Sequence, residues 1–131
     1  DISYVIGDVK VGKNTYIGPY TFLDGTGGLA IGSNCSISAG VQIYTHDSLK
    51  WALSGGKFGY DKAPVTIGSN CYLAPYVVVS KGVTIGDHSL VGSHSLVNES
   101  FPANSIIMGL PAKRKGTVII KEDGDIKLQF D

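Results

Sequence analysis

Residues 65–97 read VTIGSNCYLAPYVVVSKGVTIGDHSLVGSHSLV, and in this stretch Ile67, Leu73, Val79, Ile85, Val91 and Val97 recur every sixth residue. The position after most of them is small, as in Gly68, Ala74, Ser80, Gly86 and Gly92. Four places after each comes a second small or β-branched residue, in Cys71, Val77, Val83, Ser89 and Ser95. A period of six fits neither a 3.6-residue helical turn nor a plain alternating strand, but it suits a short strand and a corner repeated round a coil. The aliphatic residue and the fourth residue after it then point inward. One such coil cannot bury its inward face alone, so coils must stack through backbone hydrogen bonds at about 4.8 Å spacing. The expected fold is all-β, a parallel β-helix.

The same template extends upstream through Val11, Ile17 and Leu23, and then Ile31, Ile37 and Ile43. Its third following position holds Asn14, Asn34, Gly40, Asn70, Gly82, His88 and His94, residue types that tolerate a left-handed backbone and so mark corners. With three hexads to a triangular coil, coils begin near residues 11, 31, 67 and 85, and Cys35 lies above Cys71 as a buried small apolar residue. Two interruptions stand out. The step from Leu23 to Ile31 leaves a glycine-rich bulge, DGTGG at 24–28, at one corner. The longer gap after Ile43 expels residues 47–64, DSLKWALSGGKFGYDKAP, as a loop, and long loops in a regular array usually lie on the functional face. After Val97 the period decays, and TVIIKEDGDIKLQF at 117–130 reads as two strands joined at Asp123-Gly124. This divides the chain into a β-helix domain, 1–116, and a short hairpin-like β-extension, 117–131.

Composition narrows the function. A chain of 131 residues with 43% apolar and 17% charged residues has room for one domain with a real core. Lys and Arg number 11 and Asp and Glu 11, so no basic surplus exists for neutralising a run of phosphates, and bulk nucleic-acid binding is not expected. No run approaches the ~20 apolar residues of a membrane helix, and a cytoplasmic location is the expectation. Two cysteines make neither a disulfide framework nor a four-ligand zinc site.

The hexads, the segment ISAGVQIYTHD running into the long loop, the restart APVTIGSNCYLAP, the run KGVTIGDHSLVGSHSLV and the ending IIMGLPAK together resemble the hexapeptide-repeat acyltransferases. The branch most resembled contains galactoside, maltose and nodulation-factor acetyltransferases and lipopolysaccharide O-acetyltransferases. The resemblance spans roughly residues 5–114. It implies a left-handed β-helix, a homotrimer with active sites between subunits, acetyl-CoA as donor, a small carbohydrate as acceptor, and no metal. It also matches His46 to the family's catalytic histidine. An acceptor hydroxyl must lose its proton as it attacks the thioester, and an imidazole can take that proton at neutral pH.

Asp47, next in sequence, and Asp24, at the smaller bulge, are the carboxylates that could orient the imidazole or hold a sugar hydroxyl; Asp47 is assigned to catalysis with His46, and Asp24 to the substrate. Trp51 and Tyr60 lie on the loop, where aromatic faces can stack on a sugar ring or anchor the loop. For the donor, the resemblance places the pantetheine arm along Ala74, Pro75, Gly92 and Ser93, and the basic run Lys113, Arg114 and Lys115 near the phosphates. Pro75 stands where relatives often carry a residue with a backbone N–H, and Glu99 where some place a lysine. Two other functions fit the same architecture: a metal enzyme resembling γ-class carbonic anhydrase, using His46, His88 and His94, and a scaffold subunit without chemistry. The whole-hexad spacing of His88 and His94 puts them on successive corners and argues against the first.

Overall fold

The computed structural model describes residues 2–131. In chain order the elements are β1 (Tyr4–Val11), β2 (Tyr16–Ile17), β3 (Phe22–Ile31), β4 (Ser36–Ile37), β5 (Gln42–Ile43), β6 (His46–Asp47) and α1 (Leu49–Leu53). They continue with β7 (Asp61–Lys62), β8 (Val65–Ile67), β9 (Tyr72–Leu73), β10 (Val78–Val79), β11 (Thr84–Ile85), β12 (Leu90–Val91) and β13 (Leu96–Val97). The chain closes on β14 (Ser105–Gly109), β15 (Ala112–Ile120) and β16 (Ile126–Phe130).

The two-residue strands follow from the hexads. Each strand ends on the inward aliphatic, and the next four residues turn the corner. Stacked strands pair in parallel and in register, so that Ile37 lies over Leu73 and Leu73 over Val91. Three faces result. The first carries the start of β3 with β5, β10 and β13; the second carries the end of β3 with β8 and β11; the third carries β2, β4, β9, β12 and β14. Ile37, Ile43, Ile67, Leu73, Val79, Ile85, Val91 and Val97 are fully buried on the axis, which is the predicted solenoid core. Fully burying such a side chain contributes roughly 1.5–3 kcal/mol, so the column of aliphatics carries most of the favourable free energy of folding.

The corner positions take the predicted conformation: Asn14, Asn34, Gly40, Asn70, Gly82, His88 and His94 all have positive φ. Tyr20 and Tyr76 share it, at φ 60° and 63°, although bulky residues adopt it at a cost. Stacking offsets that cost at Tyr76, whose ring lies parallel to His94 with centroids 5.3 Å apart. Cys35 and Cys71 are buried in adjacent coils as free thiols, and their Sγ–H groups donate to the carbonyls of Gly68 and Gly86. The neighbouring Cys35 sulfur, together with burial, pushes the Cys71 thiol well above its ordinary value.

The two interruptions differ from a plain corner bulge and a free loop. The DGTGG segment continues β3 round the corner, and β1 pairs beside it with a register shift between Gly7 and Val9. The 47–64 excursion is tied at its neck by antiparallel pairing of β6 with β7, and it contains the five-residue helix α1. The C-terminal hairpin forms as expected, with its turn at 121–125. Its first strand, β15, starts at Ala112 and pairs with β14, so the 116/117 division falls inside a strand. Among the described residues, no helix is long and apolar enough to cross a membrane.

Candidate active site

The corner between the first and second faces carries the DGTGG bulge, the 47–64 excursion, and residues 80–83 and 98–100 one and two coils on. Asp24 turns into this corner and has no solvent-accessible surface. Its two oxygens accept the backbone N–H groups of Thr26 and Thr45, each at 2.9 Å. The same oxygen that meets Thr45 also meets Nδ1 of His46 at 2.5 Å. Thr45 completes the clamp: its hydroxyl donates to the Asp24 carbonyl and accepts the Gly27 N–H. Gly27 must be glycine, because a Cβ there would collide with the Thr45 carbonyl oxygen. The glycine-rich bulge thus presses Asp24 against the strand that leads to His46.

Burial opposes ionisation of Asp24. The Thr26 hydroxyl, the Thr45 and Thr26 backbone N–H groups and His46 outweigh it and hold the carboxyl well below the usual carboxylate range. An ionised carboxylate only accepts hydrogen bonds, so the proton between the two side chains sits on His46 Nδ1. The Nε2 lone pair is left free. The His46 side chain is 24% exposed, enough for Nε2 to reach a ligand. Tyr60 returns from the excursion to stack on the imidazole, centroids 6.0 Å apart, and Trp51 meets Tyr60 edge-on at 6.3 Å.

Asp24, and not the Asp47 assigned to catalysis from sequence, is the carboxylate bonded to His46. Adjacent strand residues point to opposite sides, so Asp47 turns away from the imidazole. It pairs with Lys81 at 3.1 Å and accepts the Leu49 N–H at 3.0 Å. That backbone contact, and then Lys81, lower its pKa. Asp47 therefore ties the loop neck to the next coil, while Asp24, assigned to the substrate, is the carboxylate that orients His46.

His46 opens into a cavity of about 810 Å³ whose walls include Tyr44, Ser48, Ser80, Lys81 and Asn98. None of these five was singled out in the sequence; Ser80 and Asn98 were legible only as positions one coil apart at the His46 corner. The residues expected from sequence to hold the donor lie elsewhere. Ala74, Pro75, Gly92 and Ser93 occupy the corner between the third and first faces, where the Pro75 carbonyl accepts the Ser93 hydroxyl at 2.8 Å. A Cβ on Gly92 would lie 3.0 Å from the Met108 side chain. The basic run lies on β15: Lys113 pairs with Glu99 at 2.8 Å, Arg114 donates to Thr117 and Ser105, and Lys115 completes it. The departure at Glu99 is thus met by a lysine from within the same chain. Within the chain, then, His46 and the four residues expected along the pantetheine arm are on different corners of the triangle. His46, His88 and His94 likewise sit on three separate corners, and no group of three His, Cys, Asp or Glu residues among those described could hold a metal ion.

Two family models match, one described as bacterial transferase hexapeptide (six repeats) over residues 64–99 and one as hexapeptide repeat of succinyl-transferase over residues 8–45. The Escherichia coli (strain K12) protein WcaF, provisionally named a colanic acid biosynthesis acetyltransferase, is 35% identical over 130 residues, covering 86% of this chain and 69% of its own. The galactoside O-acetyltransferase of the same strain is 30% identical, covering 90% of this chain and 56% of its own. Among solved structures, the hexapeptide-repeat-containing acetyltransferase VCA0836 of Vibrio cholerae O1 biovar eltor, complexed with acetyl coenzyme A, has the same fold. It superposes with a TM-score of 0.81 at 24% identity, covering 88% of this chain and 64% of that one. The chain thus spans between about half and two thirds of the length of these relatives. On its hexads and its identity to WcaF over most of its length, the chain belongs to the hexapeptide-repeat acetyltransferase family.

Proposed function

We propose that the protein transfers an acetyl group from acetyl-CoA to a hydroxyl or amino group of a carbohydrate, with His46 as general base. The observation that carries this reading is the buried, ionised Asp24 bonded to His46 Nδ1, which leaves Nε2 as a base facing a cavity. The acceptor O–H or N–H gives its proton to Nε2 as its heteroatom attacks the thioester carbonyl carbon. The tetrahedral adduct collapses by breaking the C–S bond, and the departing CoA sulfur takes the proton back from Nε2. Asp24 stabilises the transient imidazolium and fixes the tautomer, as a carboxylate behind a catalytic imidazole does. No acyl-enzyme is needed, and the two thiols are buried in the coil interior.

The donor is assigned to Ala74, Pro75, Gly92 and Ser93, with Lys113, Arg114 and Lys115 toward its phosphates. Because these residues and His46 are on different corners of one chain, the complete site requires a second subunit, and a homotrimer supplies it. The apolar surfaces favour this arrangement. Tyr16 and Tyr72 are exposed on the third face, and Leu49, Leu53 and Phe58 are exposed on the 47–64 excursion. Such area is usually covered by a partner. In this assembly the excursion, with Trp51 and Tyr60, closes over the neighbour's groove. Acetyl-CoA and reduced cysteines both suit the cytoplasm.

The test is CoA release from acetyl-CoA against a panel of saccharide acceptors, with mass spectrometry of the product. Acceptor-dependent release with acetylated saccharide is expected. Acetyl-CoA binding without transfer to any saccharide, amine or alcohol of the panel would favour the scaffold reading.

A further inference from the structure

Three strands of the first face run from one corner of the triangle to another: β5 from Gly40 to Tyr44, β10 from Tyr76 to Ser80, and β13 from His94 to Asn98. Gly40, Tyr76 and His94 therefore form a column on the corner of Ala74, Pro75, Gly92 and Ser93, each level with one coil of the His46 corner. All three have positive φ. The Tyr76 ring is held on two sides. It lies parallel to the His94 ring at 5.3 Å with an 11° interplanar angle, and it leans back over Gly40, where a Cβ would come within 2.5 Å of it. The Pro75 carbonyl fixes the base of the stack, accepting the His94 N–H at 3.1 Å and the Ser93 hydroxyl at 2.8 Å. Tyr76 is nevertheless 54% exposed, and neither the solenoid core nor the general base accounts for a bulky residue held there in a costly conformation.

The coil levels relate this ring to the donor. An arm that passes Gly92 and Ser93 and then Ala74 and Pro75 climbs the corner from the coil of β12 and β13 to the coil of β9 and β10. His46 stands one coil further, just beyond β5. In a three-fold ring with parallel solenoid axes the coils of neighbouring subunits are level, so this corner of one subunit faces Tyr44, His46, Ser80 and Asn98 of the next. To meet that His46, the thioester carbon must lie between the coils of Tyr76 and Gly40. The Tyr76 ring, leaning over Gly40, occupies the continuation of the arm's track.

We propose that Tyr76, braced by His94 and Gly40, determines acyl-chain length: its ring ends the donor track just past the thioester and leaves room for an acetyl group but not for a longer chain. This rests on the assignment of acetyl-CoA to this corner. A braced ring suits such a stop, because displacing it either breaks the stack with His94 or drives it into the Gly40 backbone.

The test is equilibrium titration of the full chain with CoA, acetyl-CoA and butyryl-CoA, which needs no acceptor. In the parent, butyryl-CoA should bind no tighter than acetyl-CoA. In Tyr76→Ala the vacated space should bury the two extra methylenes, so butyryl-CoA should bind about 10-fold tighter than acetyl-CoA. Tyr76→Phe keeps the ring and should keep the parent's order. His94→Ala leaves the ring unbraced and should shift the ratio the same way by about 3-fold, which decides the matter if Tyr76→Ala does not fold. Tighter binding of butyryl-CoA by the parent, or an unchanged ratio in the folded variants, would overturn the inference. So would an unchanged ratio with a lower light-scattering mass, which would make the stack a contact between subunits only. Failure here stays separate from failure of the donor assignment. Binding of CoA and acetyl-CoA with an unshifted ratio removes only the acyl stop, whereas no binding of CoA or of either thioester removes the donor corner and the stop with it.

Discussion

Replacing Asp24 by Asn removes the charge behind His46 while keeping the size of the side chain. In the parent, the two carboxylate oxygens accept the Thr26 N–H, the Thr45 N–H and His46 Nδ1, with the Thr26 hydroxyl beside them. An Asn can present an accepting oxygen on one side only, so its amide must face the Thr26 N–H or the Thr45–His46 pair with a donor. Leaving one buried donor unsatisfied costs about 1–3 kcal/mol of stability. The catalytic effect is larger. An imidazolium and a carboxylate separated by about 4 Å attract by about 4 kcal/mol at an effective dielectric constant of about 20, which corresponds to about 10³-fold in rate. The His46 side chain is 24% exposed, so water screens part of this, and a fall in kcat of about 10²- to 10³-fold is expected. The assay is CoA release at saturating acetyl-CoA, with circular dichroism to show that the variant is folded. Because Asp24 acts through the imidazole, the double variant Asp24→Asn/His46→Ala should be no slower than His46→Ala alone. A folded Asp24→Asn protein within about 3-fold of the parent, or full additivity in the double variant, would refute the pairing.

Acid stability carries the same signature: Asp24 ionises more readily folded than unfolded, so its contribution is complete above about pH 4 and shrinks as pH falls toward the folded value. Urea melts should show a gap between parent and Asp24→Asn that is wide at neutral pH and narrows in stronger acid; a constant gap would contradict the lowered pKa. At Gly40, φ is 73° and an added Cβ would lie 2.5 Å from the Tyr76 ring, so Gly40→Ala should lose about 1–3 kcal/mol, and an unchanged thermal midpoint would contradict the packed corner. Ile37→Ala, at a fully buried rung, should cost about 2–5 kcal/mol in denaturant melts, and a loss below about 1 kcal/mol would mean that the solenoid axis is not close-packed. Mixing His46→Ala subunits with subunits neutralised at Lys113, Arg114 and Lys115 should restore activity in mixed trimers; light scattering at the mass of one chain with full activity would rule the shared site out.

The repeat was legible because it depends on a local period. From Leu23 onward the inward aliphatics are buried, and the stacked Cys35 and Cys71 and seven left-handed corners occupy the positions that a six-residue strand-and-corner unit assigns them, whereas Val11 on the first coil is exposed and Ile17 half-buried. What escaped the sequence lies between coils. Asp47 adjoins His46 in the chain, but strand alternation turns it toward Lys81, whereas Asp24 reaches His46 because the bulge of the preceding coil packs against Thr45. Tyr4, Phe22 and Tyr44 are far apart in sequence and meet only once coil length and register are fixed. Tyr20 and Tyr76 take left-handed conformations that no residue preference would have assigned them.

The most direct measurement on the His46 corner is the rate of CoA release by His46→Ala, with acetyl-CoA binding followed in parallel by titration. With a general base removed from a corner that carries little of the core, the variant should remain folded, bind acetyl-CoA as the parent does, and lose about 10²-fold or more in turnover. Turnover within a few-fold of the parent, with the same pH profile, would remove His46 from the reaction and with it the proposed mechanism.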